Sequence, residues 1–163
     1  MIHTAYLLLG SNQGDRLTLI QAAINALQDD EAIHVVAQSS LYETAAWGKE
    51  DLPPHINVAI AVQTTLSPIA LLDRLQAIEL ELGRERIEKW GVRTMDIDII
   101  YYDDIVMDTP RLTLPHPWMQ ESRFVLVPLN EIAPTMPHPK LLLTNAALLA
   151  QCKDTLAVNL YTI

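Results

Sequence analysis

Cysteine is almost missing from this sequence. Cys152 stands alone among 163 residues, which excludes an intrachain disulfide and any zinc site built on paired cysteines. Phenylalanine occurs once, at Phe124, and glycine only 5 times against 10 prolines. Glycines this scarce, each beside a polar cluster, mark a backbone requirement such as a tight turn or a helix end. Positive charge is short as well: 11 Lys and Arg face 20 Asp and Glu, for a net charge of −9. No basic face for following a nucleic acid backbone is therefore expected. No apolar run approaches the ~20 residues that cross a bilayer. The opening MIHTAYLLLG lacks a basic segment and does not read as a signal peptide. Missing motifs narrow the chemistry further: there is no GxxxxGK(S/T), no GxGxxG after a strand, no HExxH and no nucleophile elbow. Half the residues are hydrophobic and 19% are charged, enough to bury a core. The expectation is an acidic, cytoplasmic protein forming one domain over residues 1–163, with neither nucleic acid nor membrane as partner.

Apolar periodicity divides the chain. Thr4 to Leu9 reads as a buried strand, halted by Gly10-Ser11-Asn12-Gln13-Gly14-Asp15. Asp15 suits the N-cap of a helix with Leu17, Ile20, Ile24 and Leu27 on one face. His34–Ala37 and Ile56–Gln63 read as strands, separated by a long loop over Thr44–His55. Ser67-Pro68 opens a second helix with the stripe Leu71, Leu75, Ile78 and Leu82, stopped by Gly83. Asp96–Tyr102 is a fourth strand, and a short apolar helix at Asn145–Ala150 follows a proline-rich stretch. The tail around Cys152 suits core or interface equally. The order strand, helix, strand, strand, helix, strand predicts an α+β, ferredoxin-like βαββαβ sandwich: an antiparallel sheet with both amphipathic helices on one face, long active-site loops, and the other face left to loops.

The densest chemical signal is Trp90-Gly91-Val92-Arg93-Thr94-Met95-Asp96-Ile97-Asp98. In a strand, Asp96 and Asp98 project to one side while Ile97 and Ile99 enter the other. Two neighbouring carboxylates repel unless a cation lies between them, and Mg²⁺ accepts a few carboxylates plus substrate phosphates. Taken alone, the pair equally suits the wet side of an edge strand. Its surroundings favour the metal, since Arg84, Arg86, Lys89 and Arg93 supply four of the 11 basic residues just upstream. Arginine forks and a lysine point charge suit phosphate oxygens; a solvated basic loop that neutralises the aspartates is the plainer alternative. Glu79 and Gln76 lie on the second helix, where Glu79 is either a carboxylate at the edge of the apolar stripe or a nucleotide contact. Asn57 offers donors and an acceptor suited to a heterocycle edge. Trp47, His55 and Phe124 supply flat faces for stacking or simple packing. His116, between Pro115 and Pro117, serves a turn or donates to a phosphate.

Four blocks in order, YLLLGSNQGDR, LYETAAWG…PPHIN, IELELGRERIEKWGVRTMDIDIIYY and LTLPHPWMQESRFVLVPLNEIAP, resemble the 6-hydroxymethyl-7,8-dihydropterin pyrophosphokinase family of folate biosynthesis over most of residues 4–134. The third block is the most specific, joining LGR, WGxRT and DxDI. The resemblance implies pyrophosphate transfer from ATP to the hydroxymethyl of the dihydropterin, releasing AMP. It implies two Mg²⁺ ions on Asp96 and Asp98, with ATP as co-substrate. Gln76, Glu79, Arg84, Arg86, Arg93, Ile99 and His116 then line the ATP side. Thr44, Ala45, Trp47, His55, Asn57 and Phe124 line the pterin side, with His55 and Phe124 sandwiching the ring. The catalytic set is Arg84, Arg93, Asp96, Asp98 and Arg123. Three positions depart from the family. Val92 stands where a proline is usual, and His55 where Tyr or Phe is common. Ser122 stands where an arginine is expected, with Arg123 one residue later as its substitute. A non-catalytic pterin- or nucleotide-binding paralogue is the alternative that Ser122 favours. Loop closure around Gly48 and Gly91 is expected, and so is a monomer, with a dimer left open.

Overall fold

The computed structural model describes residues 1–12, 15–44, 54–82 and 95–162. Strand β1 (His3–Ser11) leads to helix α1 (Arg16–Asp29), then β2 (Ile33–Gln38), β3 (Tyr42–Thr44) and β4 (His55–Thr64). Helix α2 (Pro68–Glu81) and β5 (Asp96–Tyr102) follow. A two-stranded ribbon of β6 (Met107–Asp108) and β7 (Thr113–Leu114) precedes α3 (Arg123–Ile132), α4 (Asn145–Gln151) and β8 (Val158–Leu160). The expected strands and helices are present, most of them extended by a residue or two. Their caps follow from the sequence: Asp15 accepts from the Thr18 amide, Ser67 from Ala70 and Thr144 from Ala147, each satisfying a donor that the helix start leaves open.

The main sheet runs β5-β1-β4-β3-β8, with β2 also on β4, and its pairings are antiparallel. Helices α1 and α2 cover one face as expected, through Ile20, Ile24, Leu27, Leu71 and Leu75 packed on Leu7, Leu9, Ile60 and Val62. Each such side chain contributes about 1.5–3 kcal/mol when fully buried. The other face is not left to loops. It carries a second core in which Val125, Leu126 and Leu129 of α3 and Leu148 of α4 close over Leu8, Ala59, Ile100 and Tyr101. Pro128 sits inside α3 and removes one helical N–H, so that segment reads as a break although its apolar face secures it to the sheet.

A register shift between Tyr6 and Leu7 makes Ile100 the extra residue on β5. Ile97 and Ile99 enter the first core, while Ile100 and Tyr101 both enter the second. A bulge of this kind re-aims the side chains beyond it, and here it follows immediately on the aspartate pair. The Tyr101 hydroxyl donates to Asn145 Oδ1 at 2.7 Å, and Asn145 Nδ2 donates to the Ala133 carbonyl at 2.8 Å. That buried network ties α4 to the sheet.

Candidate active site

Three strands meet at one end of the sheet. Gly10 on β1 lies opposite Asn57 on β4 and opposite Asp96 on β5, while Leu8 lies between Ala59 and Asp98. Strand alternation therefore puts Asn57, Gly10, Asp96 and Asp98 on the face away from α1 and α2. A Cβ on Gly10 would lie 2.6 Å from Asn57 Nδ2, so glycine is required here by close approach rather than by an unusual φ. Asn57 is only 4% exposed, and its Oδ1 accepts from the Thr44 hydroxyl at 3.4 Å. Thr44 is buried too and pairs with His55 across β3 and β4. Burial pushes the His55 imidazole below its ordinary value; Asp96 pulls it upward and Arg16 adds to the downward shift. His55 is consequently held toward its neutral form, the form suited to stacking on an uncharged ring.

Beside this row lies a cleft of about 340 Å³ lined by Gln76, Glu79, Ile97, Asp98, Ile99, His116 and the ribbon residues Thr109–Thr113, among others. The cleft brings together the sequence-predicted residues Gln76, Glu79, Asp98, Ile99 and His116. Glu79 is 4% exposed, and its Oε2 accepts the Ile97 amide at 2.8 Å, fixing α2 against the strand that carries both aspartates. His116 follows the cis Leu114–Pro115 bond, and its amide donates to the Ile100 carbonyl at 3.0 Å. Its Nδ1 is buried without a hydrogen-bond partner among the described residues, a polar atom available to a ligand or water. Arg111 is a lining residue that the sequence reading missed. It donates to Asp73 at 2.7 Å and to Gln76 Oε1 at 3.2 Å. Its signal was a lone arginine after Pro110, just ahead of the LTLPHP segment.

A second missed residue, Arg16, donates to Glu43 Oε2 at 2.9 Å and to the Pro54 carbonyl at 2.8 Å. It thereby joins the two chain ends that flank residues 45–53, and its guanidinium lies 5.7 Å from the Tyr161 ring centre. Phe124 sits in the first turn of α3, half-buried at the edge of the second core. Ser122 is the N-cap of α3 in an extended conformation, with its hydroxyl donating to the Trp118 carbonyl. Arg123 is the first helical residue. Ala45, Trp47, Gly48, Arg84, Arg86, Lys89, Gly91, Val92 and Arg93 lie outside the described residues. Among the described residues no cluster of three or more His, Cys, Asp or Glu side chains forms a protein-only metal cage. Asp96 and Asp98 form instead a two-carboxylate set beside a cleft. That donor set fits a hard divalent ion completing its shell with water and phosphate oxygens. No helix among the described residues is long and apolar enough to cross a membrane.

A family profile described as 7,8-dihydro-6-hydroxymethylpterin-pyrophosphokinase (HPPK) matches residues 6–134. A Haemophilus influenzae protein named 2-amino-4-hydroxy-6-hydroxymethyldihydropteridine pyrophosphokinase is 42% identical over 136 residues, covering 83% of this chain and 85% of the relative. A Bacillus subtilis protein of the same name is 45% identical over 132 residues, covering 81% and 79%. Among solved structures, a Plasmodium falciparum HPPK-DHPS triple mutant superposes with a TM-score of 0.75 at 16% identity, a likeness of fold. That match covers 93% of this chain and 43% of the larger one, so this chain spans less than half its length.

Proposed function

Because the chain belongs to the 7,8-dihydro-6-hydroxymethylpterin-pyrophosphokinase family, we infer that it transfers pyrophosphate from ATP to the hydroxymethyl oxygen of 6-hydroxymethyl-7,8-dihydropterin, releasing AMP, in folate biosynthesis. The observation that carries this reading is the junction at β5. There Asp96 shares the strand-end row with Asn57, and Asp98 lines the cleft with Gln76, Glu79 and His116. The two aspartates thus stand between the polar corner at Asn57 and the cleft of about 340 Å³.

In this account Asn57 and Thr44 read the polar edge of the pterin, and the neutral His55 ring stacks against it with Phe124 from α3. Gln76, Ile99 and His116 line the nucleotide side, with Arg84, Arg86 and Arg93 against the phosphates and Arg123 in the role usual for an arginine at position 122. Glu79, through the Ile97 amide, holds β5 at the depth where both carboxylates reach the junction. Asp96 and Asp98 would hold the two Mg²⁺ ions that the family resemblance implies, and such ions would supply screening of the triphosphate charge. What remains for the chain is to align a weak hydroxyl nucleophile with the β-phosphorus and to exclude water from it. Side-chain nucleophiles are not required. The frame is a ferredoxin-like βαββαβ unit made of β1, α1, β2, β4, α2 and β5, with α3 and α4 added on the second face. We further propose a cytoplasmic, single-domain monomer.

The test is AMP release from ATP and Mg²⁺ with and without the dihydropterin. Pterin-dependent AMP is the expected result. Pterin and ATP binding without AMP would favour a non-catalytic receptor.

A further inference from the structure

The first turn of α3 carries Arg123 and Phe124, yet its own N-cap residue does not cap it. Ser122 turns its hydroxyl away to the Trp118 carbonyl. The Arg123 amide is satisfied from a distance of 31 positions along the chain, by Asp154 Oδ2 at 2.9 Å. The other oxygen of the same carboxylate accepts the Leu156 amide at 3.0 Å, which folds the tail into a turn at that point. Beyond the turn the tail becomes β8 and pairs with β3, Val158 opposite Thr44 and Leu160 opposite Tyr42. The Tyr161 amide donates to the Leu41 carbonyl at 2.9 Å, and the Tyr161 ring lies beside Arg16. Residues 154–161 are therefore a strap that joins the start of α3 to β3, the strand bearing Thr44. This strap lies beyond residue 134, outside the family match.

We propose that Asp154 is a positioning residue for the pterin side of the site. Its carboxylate sets the first turn of α3, and with it the direction of Phe124 and Arg123, relative to Thr44 on β3. A carboxylate at a helix start satisfies an open N–H and complements the positive end of the helix. Here that capping group comes from the element that also holds the opposite wall. The inference rests on the function proposed above.

The test compares wild type, Asp154→Ser and Asp154→Asn in steady-state turnover, with each parameter normalised to folded protein. Serine keeps a hydroxyl for the local turn at Leu156 but is too short to reach the Arg123 amide as well. Asparagine keeps the reach and one acceptor. The expected result is about a tenfold rise in KM for the dihydropterin with Asp154→Ser, KM for ATP unchanged, and recovery to within about threefold of wild type with Asp154→Asn. Wild-type kinetics in the serine variant would overturn the proposal. So would an equal change in both KM values with no rescue by asparagine, since that is a general loss of structure. An inactive wild type would instead strike at the proposed function itself, and a melting curve on each variant separates misfolding from mispositioning.

Discussion

Adding one methyl group at Gly10 separates binding from stability. The β-carbon of alanine there would lie 2.6 Å from Asn57 Nδ2, whereas ordinary contact begins at 3.4 Å. The amide must therefore move by about 0.8 Å. Asn57 is buried, with the Thr44 hydroxyl on its Oδ1, so the displacement is spent on the geometry it offers a ligand. A buried hydrogen bond misplaced by that much loses about 1–3 kcal/mol, or roughly 5–150-fold in affinity. Folding responds less. Crowding costs about 1–3 kcal/mol, while alanine recovers about 0.5–1 kcal/mol by narrowing the unfolded ensemble. Gly10→Ala should therefore weaken dihydropterin binding, measured by calorimetry, by at least fivefold while ATP affinity stays within twofold and the protein still melts cooperatively. Unchanged dihydropterin affinity in a folded Gly10→Ala protein would refute the assignment of Asn57 to the heterocycle edge.

Further outcomes are expected. Asp98→Asn, at an exposed strand position, should keep its melting temperature and lose at least about a hundredfold in turnover; retained turnover would remove Asp98 from the chemistry. Glu79→Leu should strand the Ile97 amide and lower unfolding free energy by about 1–3 kcal/mol, with Glu79→Gln recovering part, both read by urea unfolding. Burial depresses His55 and His138 below the ordinary imidazole value, with Lys140 adding to the effect on His138. The unfolded chain then binds more protons than the folded one below about pH 6.5, so stability is complete above that value and falls as the pH drops through it. His138 Nδ1 also accepts the Lys140 and Leu141 amides, bonds that protonation there would break. Urea midpoints unchanged from pH 7.5 to 5.5 would contradict this. Arg123→Ala should lower turnover more than dihydropterin affinity, and small equal effects on both would sink its role as the substitute for an arginine at position 122.

The parts legible in the sequence were those governed by local periodicity. The stripes of α1 and α2, the capping residues Asp15 and Ser67, and β5 with alternating Asp96, Ile97, Asp98 and Ile99 all rest on near neighbours. What escaped depends on distant partners. Helix α3 contains Pro128, a residue that marks a break by propensity, and is secured by residues remote in sequence, Leu8, Ala59 and Tyr101 of the sheet among them. Strands β3 and β8 are each three residues long and exist through pairing with each other and β4. The bulge at Ile100 appears only once β1 supplies the register. Within the candidate site, Asp96 and Asp98 were legible from strand alternation, and Gln76, Glu79, Ile99 and His116, which line the same cleft as Asp98, were implied by the family resemblance. Arg16 and Arg111 were missed because their meaning lies in Glu43, Pro54 and Gln76, which are remote in sequence.

The proposed reaction joins the two sides of the site at Asp96–Asp98 and moves two phosphoryl groups together. It is tested most directly with ATP carrying different numbers of oxygen-18 atoms on its β and γ phosphates, following the pterin product by mass. A product bearing both labels is expected, with AMP released in equal amount. A product bearing the γ label alone, with ADP released, or no labelled pterin at all from a protein that binds both substrates, would contradict it.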